Sequence, residues 1–310
     1  MNILEEIKLG NVLLSDGAWG TFLQGKGMQP GECPELWNIT RRKDVLDIAE
    51  SYLLAGSDII ETNSFGGSSI KLSQYGLGER AAELNEAAAA ISREAAGKNK
   101  HVAGSIGPTG KMVLMGDVTE AELYDSFKEQ AIALEKGGAD IIIVETMSAV
   151  DEAAMAVSAA RENTLCTVIV TMTFEGGSHG EFRTMMGVSP EEMLISMKTA
   201  GAHIIGSNCG NGIADMIHIV KAIRAADKEI PVMIQANAGK PEYIDGKTIF
   251  RETPEIMASY IRTSVDRCQY NWRMLRNNSG AYQGNCKSSG KINYTPLTLP
   301  TALLKGVGGG

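Results

Sequence analysis

Short apolar runs rich in β-branched residues recur seven times in the first 240 residues of the chain. Each run ends among polar residues. Unbroken runs of this kind are typical of strands that are buried on both faces, as in a parallel sheet. The seven predicted strands are 12–17, 58–63, 101–105, 140–145, 167–171, 203–209 and 231–237.

Amphipathic helical stretches separate these runs, for example at 43–55, 78–97, 119–137 and 213–227. Three units share one pattern, in which a glycine ends a helix and a tight turn leads into an Ile-Ile strand; they begin at Ala55, Gly137 and Ala200. Repeated strand and helix units of this length predict an α/β fold, a (β/α)8 TIM barrel. A doubly wound sheet is the alternative, but no Gly-x-Gly-x-x-Gly turn follows the first strand.

An eighth strand is expected near residue 270. The chain there reads Cys-Gln-Tyr-Asn-Trp-Arg-Met-Leu-Arg-Asn-Asn over 268–278, which is not the pattern of a buried strand. We therefore expect the eighth unit to be lost or altered, and the first and seventh strands to be left as open edges.

The balance of acidic and basic residues changes at residue 262, shortly before the expected eighth strand. The net charge is −8, but residues 262–310 hold one acid, Asp266, and seven bases. The sequence therefore predicts an acidic barrel over 1–261 and an aberrant basic tail over 262–310. The acidic balance argues against a nucleic-acid or membrane partner, and neither a bilayer-length apolar run nor a secretory signal is found. Five scattered cysteines form no disulfide framework, so we expect a cytoplasmic protein.

Residues just past the carboxyl ends of barrel strands share one face and form the active site. In this chain the residues at these positions are polar and include two carboxylates and one thiol, which suits an amino-acid ligand. A protein carboxylate can hold the ammonium group of the ligand, and backbone N–H groups of the glycine-rich loops can hold the ligand's carboxylate. The candidates are Asp16 with Gly17, Asn63, Ser105, Glu145, Thr173, Asn208 with Cys209, and Asn237.

Structural roles are open for several of these residues. Asp16 could cap the helix or turn that follows it, and turn chemistry alone could explain Asn63 and Asn237. Cys209 could be a small buried apolar residue, although its glycine-rich surroundings favour a loop at the barrel mouth. Glu145 directly follows four apolar strand residues, so its carboxylate needs a partner or a ligand. The four histidines have no spacing typical of a metal site.

Six segments at strand ends together resemble the homocysteine S-methyltransferase family, in particular the homocysteine-binding barrel of cobalamin-dependent methionine synthases and their stand-alone relatives. The resemblance covers about residues 10 to 261. The segments are Asp-Gly-Ala-Trp-Gly-Thr at 16–21, Thr-Asn-Ser-Phe-Gly-Gly at 62–67, Gly-Ser-Ile-Gly-Pro at 104–108, Val-Glu-Thr at 144–146, Gly-Ser-Asn-Cys-Gly at 206–210 and Ala-Asn-Ala-Gly at 236–239.

The resemblance implies a zinc ion that is held by three thiolates and activates the thiol of homocysteine. One thiolate would be Cys209, and the other two would come from a Gly-Gly-Cys-Cys-Gly motif after the eighth strand. By the same analogy, Asp16 and Glu145 would hold the ends of the amino acid. No Cys-Cys pair exists in this chain, and 272–276 stands in its expected place.

A shift of reading frame would explain that gap. Residues 271–278 can be encoded so that the same bases, read one base later, give Ile-Gly-Gly-Cys-Cys-Gly-Thr. Trp272 and Met274 each have a single codon, which restricts the choice of bases. The shifted frame of 279–288 continues Thr-Pro-Glu-His-Ile-Arg, a plausible start of a helix. We therefore interpret the tail from about Arg262 as a frameshifted eighth unit.

The leading functional prediction is a zinc-dependent homocysteine S-methyltransferase that makes methionine and is impaired in this chain, with zinc weakly bound or absent. The alternative is an inactive remnant or amino-acid-binding module of the same fold. A barrel lyase or aldolase is disfavoured because no lysine stands at a strand end. The methyl donor is left open between a methylcorrinoid protein, betaine and S-methylmethionine.

Overall fold

Eight parallel strands form the centre of the molecule. The computed structural model describes residues 1–177, 180–239, 242–244, 247–249, 251–253, 256–257, 272–277, 282–286 and 292–296. The strands are β1 (Leu13–Leu14), β2 (Ile59–Glu61), β3 (His101–Ile106), β4 (Ile141–Met147), β5 (Thr167–Met172), β6 (Ile204–Gly212), β7 (Val232–Asn237) and β8 (Trp272–Asn277). All seven strands predicted from the apolar runs are present.

The sheet closes on itself. Its order is β1-β8-β7-β6-β5-β4-β3-β2, and a parallel bridge between Ser15 and Ile59 joins the two ends. At this joint the Asp58 N–H donates to Leu14 O at 2.7 Å, and the Asp16 N–H donates to Ile59 O at 3.0 Å. The (β/α)8 barrel predicted from the sequence is confirmed.

The expected open edges at the first and seventh strands are not found, and that prediction was wrong. β8 pairs in parallel with both, with Leu275 opposite Leu14 and Ile234. Ladder hydrogen bonds use backbone groups that every non-proline residue carries, so an unfavourable side-chain pattern does not prevent pairing. The eighth unit is nevertheless altered, because the described residues after β8 form an antiparallel hairpin, Tyr282–Cys286 with Ile292–Pro296.

Helices follow the strands and cover the outside of the barrel. Side-chain caps begin several of them: Asn2, Thr119 and Ser189 each form a capping box. The α-helices of the described part are α1 (Ile3–Lys8), α2 (Trp19–Gly25), α3 (Trp37–Thr40), α4 (Arg42–Leu54), α5 (Ser69–Leu72), α6 (Ala81–Ala96), α7 (Glu120–Lys136), α8 (Val150–Asn163), α9 (Pro190–Ala200) and α10 (Ile213–Ala226).

The turns predicted between helix and strand are also found. Gly56, Gly138 and Gly201 have φ values of 102°, 108° and 96°, which L side chains rarely adopt. Short 3-10 turns lie at Pro34–Leu36, Ser73–Tyr75, Gly78–Arg80 and Val113–Met115, and short hairpins pair Glu175–Gly176 with Phe182–Arg183 and Glu242–Ile244 with Lys247–Ile249. Within the described residues, no helix has the length and apolar character needed to cross a bilayer.

The barrel interior is arranged in two levels. The lower level is apolar and forms one buried cluster with Ile3 and Ile7 of α1, which closes the bottom of the barrel. Its strand residues include Ile59, Ala103, Ile141, Ile143, Ile169, Ile204 and Met233. Because side chains alternate along a strand, the inward side chains above this level stand two positions further on, or four positions in β6, where Gly206 intervenes. They are Glu61, Ser105, Glu145, Thr171, Asn208 and Gln235. This upper level is buried and entirely polar.

Candidate functional site

A cavity of about 320 Å³ opens at the carboxyl ends of the strands. Its wall combines ends of β2, β3, β4, β6 and β7 with residues from the segments that follow β1 and β2. Three carboxylates line it, those of Glu35, Glu61 and Glu145, and the described lining includes no Lys, Arg or His. The wall therefore suits a ligand that carries a positive charge.

Glu145 is fixed by donors from two other strands. Its Oε1 accepts a hydrogen bond from Ser105 Oγ at 2.5 Å, and its Oε2 accepts one from Asn208 Nδ2 at 3.4 Å. The side chain is 5% exposed, and it lines the cavity together with Ser105. A buried carboxylate with a set orientation can hold an ammonium group.

Cys209 and Thr146 lie together on the wall with left-handed backbones. Their φ values are 58° and 62°, and within the described residues they are the two non-glycine residues with positive φ. Such a conformation costs about 1–3 kcal/mol, and it is unusual for a β-branched residue such as Thr146. Backbone strain of this kind gathers at functional sites.

Asp16 lies beneath the wall. Its Oδ2 accepts hydrogen bonds from Trp19 Nε1 at 2.8 Å and from the Glu61 N–H at 3.0 Å, and its Oδ1 accepts one from Ser15 Oγ at 3.2 Å. The N-cap residue of α2 is Ala18, which forms no side-chain cap. The hydrogen bonds of Asp16 orient Trp19, which lines the cavity, and the end of β2.

The remaining candidates divide between the wall and its support. Asn63 lines the cavity, but its Nδ2 donates to Pro34 O at 2.7 Å and to Asn38 Oδ1 at 3.0 Å. Asn208 is fully buried behind the wall, and Thr173 Oγ1 donates to its backbone oxygen at 3.0 Å. Gly17 and Asn237 lie outside the described lining.

Sequence reasoning missed Glu61 and Gln235, which line the cavity beside each other. Gln235 Nε2 donates to Glu61 Oε1 at 2.8 Å, and Gln235 Oε1 has no hydrogen-bond partner among the residues that the structure describes. Both residues stand two positions beyond an inward apolar residue, Ile59 and Met233. Strand alternation could therefore have identified them, whereas the candidates predicted above are residues at the ends of the strands.

Glu35 was missed as well, and no strand pattern indicates it. It lies in the 3-10 turn Pro34–Leu36, where its Oε1 accepts from the Gly66 N–H at 2.7 Å and its Oε2 accepts from Cys33 Sγ at 3.3 Å. Burial raises the pKa of the Glu35 carboxyl. Burial, together with the charge of Glu35, also raises the pKa of the Cys33 thiol to about 12.

Comparison with known proteins assigns the family. The family model described as homocysteine S-methyltransferase matches residues 13–286, from β1 through β8 and into the hairpin after it. This chain belongs to the homocysteine S-methyltransferase family. Its resemblance at the strand ends is thereby confirmed, and by family the chain is a methyltransferase.

Among curated members with similar sequences are two methionine synthases. The one from Mycobacterium tuberculosis (strain ATCC 25618 / H37Rv) is 31% identical over 252 residues, and the one from Mycobacterium leprae (strain TN) is 29% identical over 248 residues. Each alignment covers 74% of this chain and 20% of the relative. The chain thus spans about a fifth of the length of these relatives.

A solved structure with the same fold is the metallated form of the homocysteine methyltransferase MmuM from Escherichia coli. It covers 90% of this chain and 95% of its own, with a TM-score of 0.69 and 16% sequence identity. At that identity the likeness concerns the fold, and it agrees with the closed barrel described above.

A three-thiolate zinc site does not fit the residues that the structure describes. Cys209 lines the cavity, whereas Cys33 bonds to Glu35, and Cys166 is buried beside Glu135 and Ala139. β8 has no Cys, His, Asp or Glu in its sequence, and no group of three such residues in the described part could hold a metal. Cys268 and the side chain of Cys286 lie outside what the structure describes.

Proposed function

We propose that this chain is a homocysteine-binding barrel whose reaction is methyl transfer to the homocysteine thiol. The observation that carries the proposal is the polar upper level of the barrel in a chain of this family. It presents the fixed carboxylate of Glu145 and the thiol of Cys209 to one cavity that has no cationic residue in its described lining. The cavity volume of about 320 Å³ accommodates a small amino acid.

In this proposal the substrate ammonium group pairs with the carboxylates of the wall. Glu145 and Glu61 are candidates, because both are buried and line the cavity. Asp16 contributes indirectly by orienting Trp19. The substrate sulfur, once its proton has left for solvent, attacks the methyl carbon of the donor. The new S–C bond forms as the bond from carbon to the donor breaks, and the donor retains that electron pair.

We further propose that methyl transfer is impaired in this chain. A catalytic zinc site needs three protein ligands and an open position for the substrate, and the described wall offers the single thiol of Cys209. Loss of two of three ligands lowers metal affinity severely. We therefore expect little bound zinc and weak activity. An amino-acid-binding module is the second candidate function, since the carboxylates that would hold the substrate are intact.

The methyl donor proposed is a methylcorrinoid protein. The support is the likeness to methionine synthases, of which this chain matches about a fifth. We propose a cytoplasmic setting, which the scattered cysteines of the sequence favour. Betaine and S-methylmethionine are the competing donors.

Calorimetry with homocysteine and methionine tests the binding part of the proposal. We expect both to bind, and Glu145→Gln to weaken homocysteine binding by about 10-fold, because it removes the charge opposite the ammonium group. Thr40→Ala is the matched control, because Thr40 is exposed and lies outside the cavity lining. If neither amino acid binds the unaltered chain, the proposed function is wrong.

Metal analysis and methyl transfer from methylcobalamin test the impairment. Homocysteine binding with weak turnover and less than about 0.1 zinc ion per chain would support the proposed impairment. Turnover at the rate of an intact methionine synthase barrel would contradict it. Binding without any transfer would favour the amino-acid-binding module. One tightly held zinc ion per chain would show that ligands outside the described wall complete the site.

A further inference from the structure

The side-chain amide of Asn208 has no hydrogen-bonding capacity left for a ligand. Its Oδ1 accepts two hydrogen bonds at 2.9 Å, from the Thr146 N–H and from Thr171 Oγ1. Its Nδ2 carries two hydrogens and has three acceptors around it, namely Thr146 Oγ1 at 2.7 Å, Glu145 Oε2 at 3.4 Å and Cys209 Sγ at 3.4 Å. One hydrogen therefore goes to Thr146, and the carboxylate and the sulfur share the other.

This one amide joins both left-handed residues of the cavity wall. Thr146 is bound to it at both its N–H and its hydroxyl group, and Cys209 is bound through its sulfur. Thr146 lies in β4, where the β4–β5 register shifts between Val144 and Met147, and Cys209 lies in β6, where the β6–β7 register shifts. Departures from regular pairing need compensating contacts, and Asn208 supplies them from within the barrel.

We propose that Asn208 is a positioning residue that couples the amino-acid end of the site to its thiol end. It holds Thr146 and Cys209 in their left-handed conformations and so sets where the Glu145 carboxylate and the Cys209 sulfur stand relative to each other. Asn208 itself does not touch the substrate, since it is fully buried and saturated. The effect on homocysteine binding rests on the proposed function; the effect on backbone order does not.

Two variants separate this role from a general contribution to folding. Asn208→Ala removes every bond of the amide. Thr171→Val removes one bond to the same Oδ1 and leaves the bonds to Thr146 and Cys209 in place. Thr171 is as deeply buried as Asn208, so it is a matched control.

Hydrogen exchange measures, without any ligand, how firmly Asn208 holds the backbone of Thr146. We expect the amide of Thr146 to exchange at least 10-fold faster in Asn208→Ala than in the unaltered chain, with the peptides of β3 and α7 unchanged. In Thr171→Val, exchange at Thr146 should change less than 2-fold. Equal acceleration in both variants would overturn the proposal, because it would indicate loosening of the whole core.

Homocysteine calorimetry gives the second readout. Asn208→Ala should raise the dissociation constant about 10-fold, and Thr171→Val should raise it less than 2-fold. Adding Thr146→Gly to Asn208→Ala should recover binding to within 3-fold, because glycine adopts a φ near 62° without penalty. This double variant also guards against misfolding of Asn208→Ala. Absence of recovery in a folded double variant would overturn the proposal. If the unaltered chain does not bind homocysteine, the proposed function fails and hydrogen exchange alone decides the coupling.

Discussion

At the scale of single residues, the three thiols with described surroundings differ sharply. Cys209 is half-buried and lines the cavity, whereas Cys33 and Cys166 are buried among apolar residues beside a carboxylate. Burial, assisted by the neighbouring glutamates, raises the pKa of both Cys33 and Cys166 to about 12. The thiolate is the reactive form of cysteine, so these two thiols should be inert near neutral pH.

Alkylation should therefore distinguish these cysteines. At pH 8 we expect iodoacetamide to modify Cys209 at least 10-fold faster than Cys33 or Cys166 in the folded chain. Peptide mass spectrometry measures the three rates, and Cys209→Ser identifies the fast site. Modification of Cys33 at the rate of Cys209 would contradict the buried position of Cys33.

The sequence indicated which end of the barrel holds the site, but not which residues line the cavity and which support its wall. Ser105, Glu145 and Cys209 line the cavity, as residues at strand ends should. Asp16 and Asn208 face inward behind it, and no pattern in the sequence distinguishes a side chain in the wall from one that supports the wall. Glu35 comes from a 3-10 turn whose path depends on tertiary contacts, so the strand pattern could not place it.

At the scale of elements, the repeated units were predictable and the closing strand was not. Seven strands and their helices follow from local apolar periodicity, which reflects burial. β8 has a sequence without that periodicity, yet it fills the gap between β1 and β7 through backbone pairing. Pairing of this kind depends on the neighbouring strands, and a local pattern holds no information about them.

The helix α1 gives a prediction about pH at this scale. His101 Nε2 lies 2.9 Å from Glu6 Oε1 of α1, and its Nδ1 lies 3.6 Å from Asp140 Oδ2. Hydrogen bonds to Asp140 and Glu6 raise the pKa of His101. The contribution of the charged ring to stability is then fully present below pH 6.5, the ordinary pKa, and is lost as pH rises through the raised value.

Urea unfolding at several pH values checks this contribution. The difference in unfolding free energy between the unaltered chain and His101→Gln should be largest at pH 5.5 and should shrink towards pH 9. The ion pair of Arg93 with Asp140, at 2.7 Å, is present in both proteins and therefore cancels in this difference. A difference that is constant from pH 5.5 to 9 would show that the ring contributes through packing alone.

At the scale of the whole molecule, charge is divided unevenly between an acidic body, residues 1–261, and a basic tail that includes β8. The net charge of −8 conceals a body of −14 and a tail of +6 from residue 262. We propose that the tail is the eighth unit read in the wrong frame. The proposal explains the change of charge and the missing Cys-Cys pair with a single event.

The nucleotide sequence tests this proposal directly. We expect a single-base shift near codon 262 to restore Gly-Gly-Cys-Cys-Gly at about 272–276. A protein expressed from the corrected frame should bind one zinc ion per chain, and the same protein with Cys209→Ser should bind it more weakly. If no single-base shift restores the motif, the proposal is wrong.

The two levels of the barrel interior separate what keeps the protein folded from what determines its ligand. Replacing an isoleucine of the lower level by alanine would leave a cavity and cost about 2–5 kcal/mol, a large share of the stability of a typical domain. The upper level is polar and lines the cavity, so substitutions at Glu61, Ser105 or Gln235 leave the apolar lower level intact. A lineage can therefore explore new ligands at one end of such a barrel while its capacity to fold is inherited unchanged from the other.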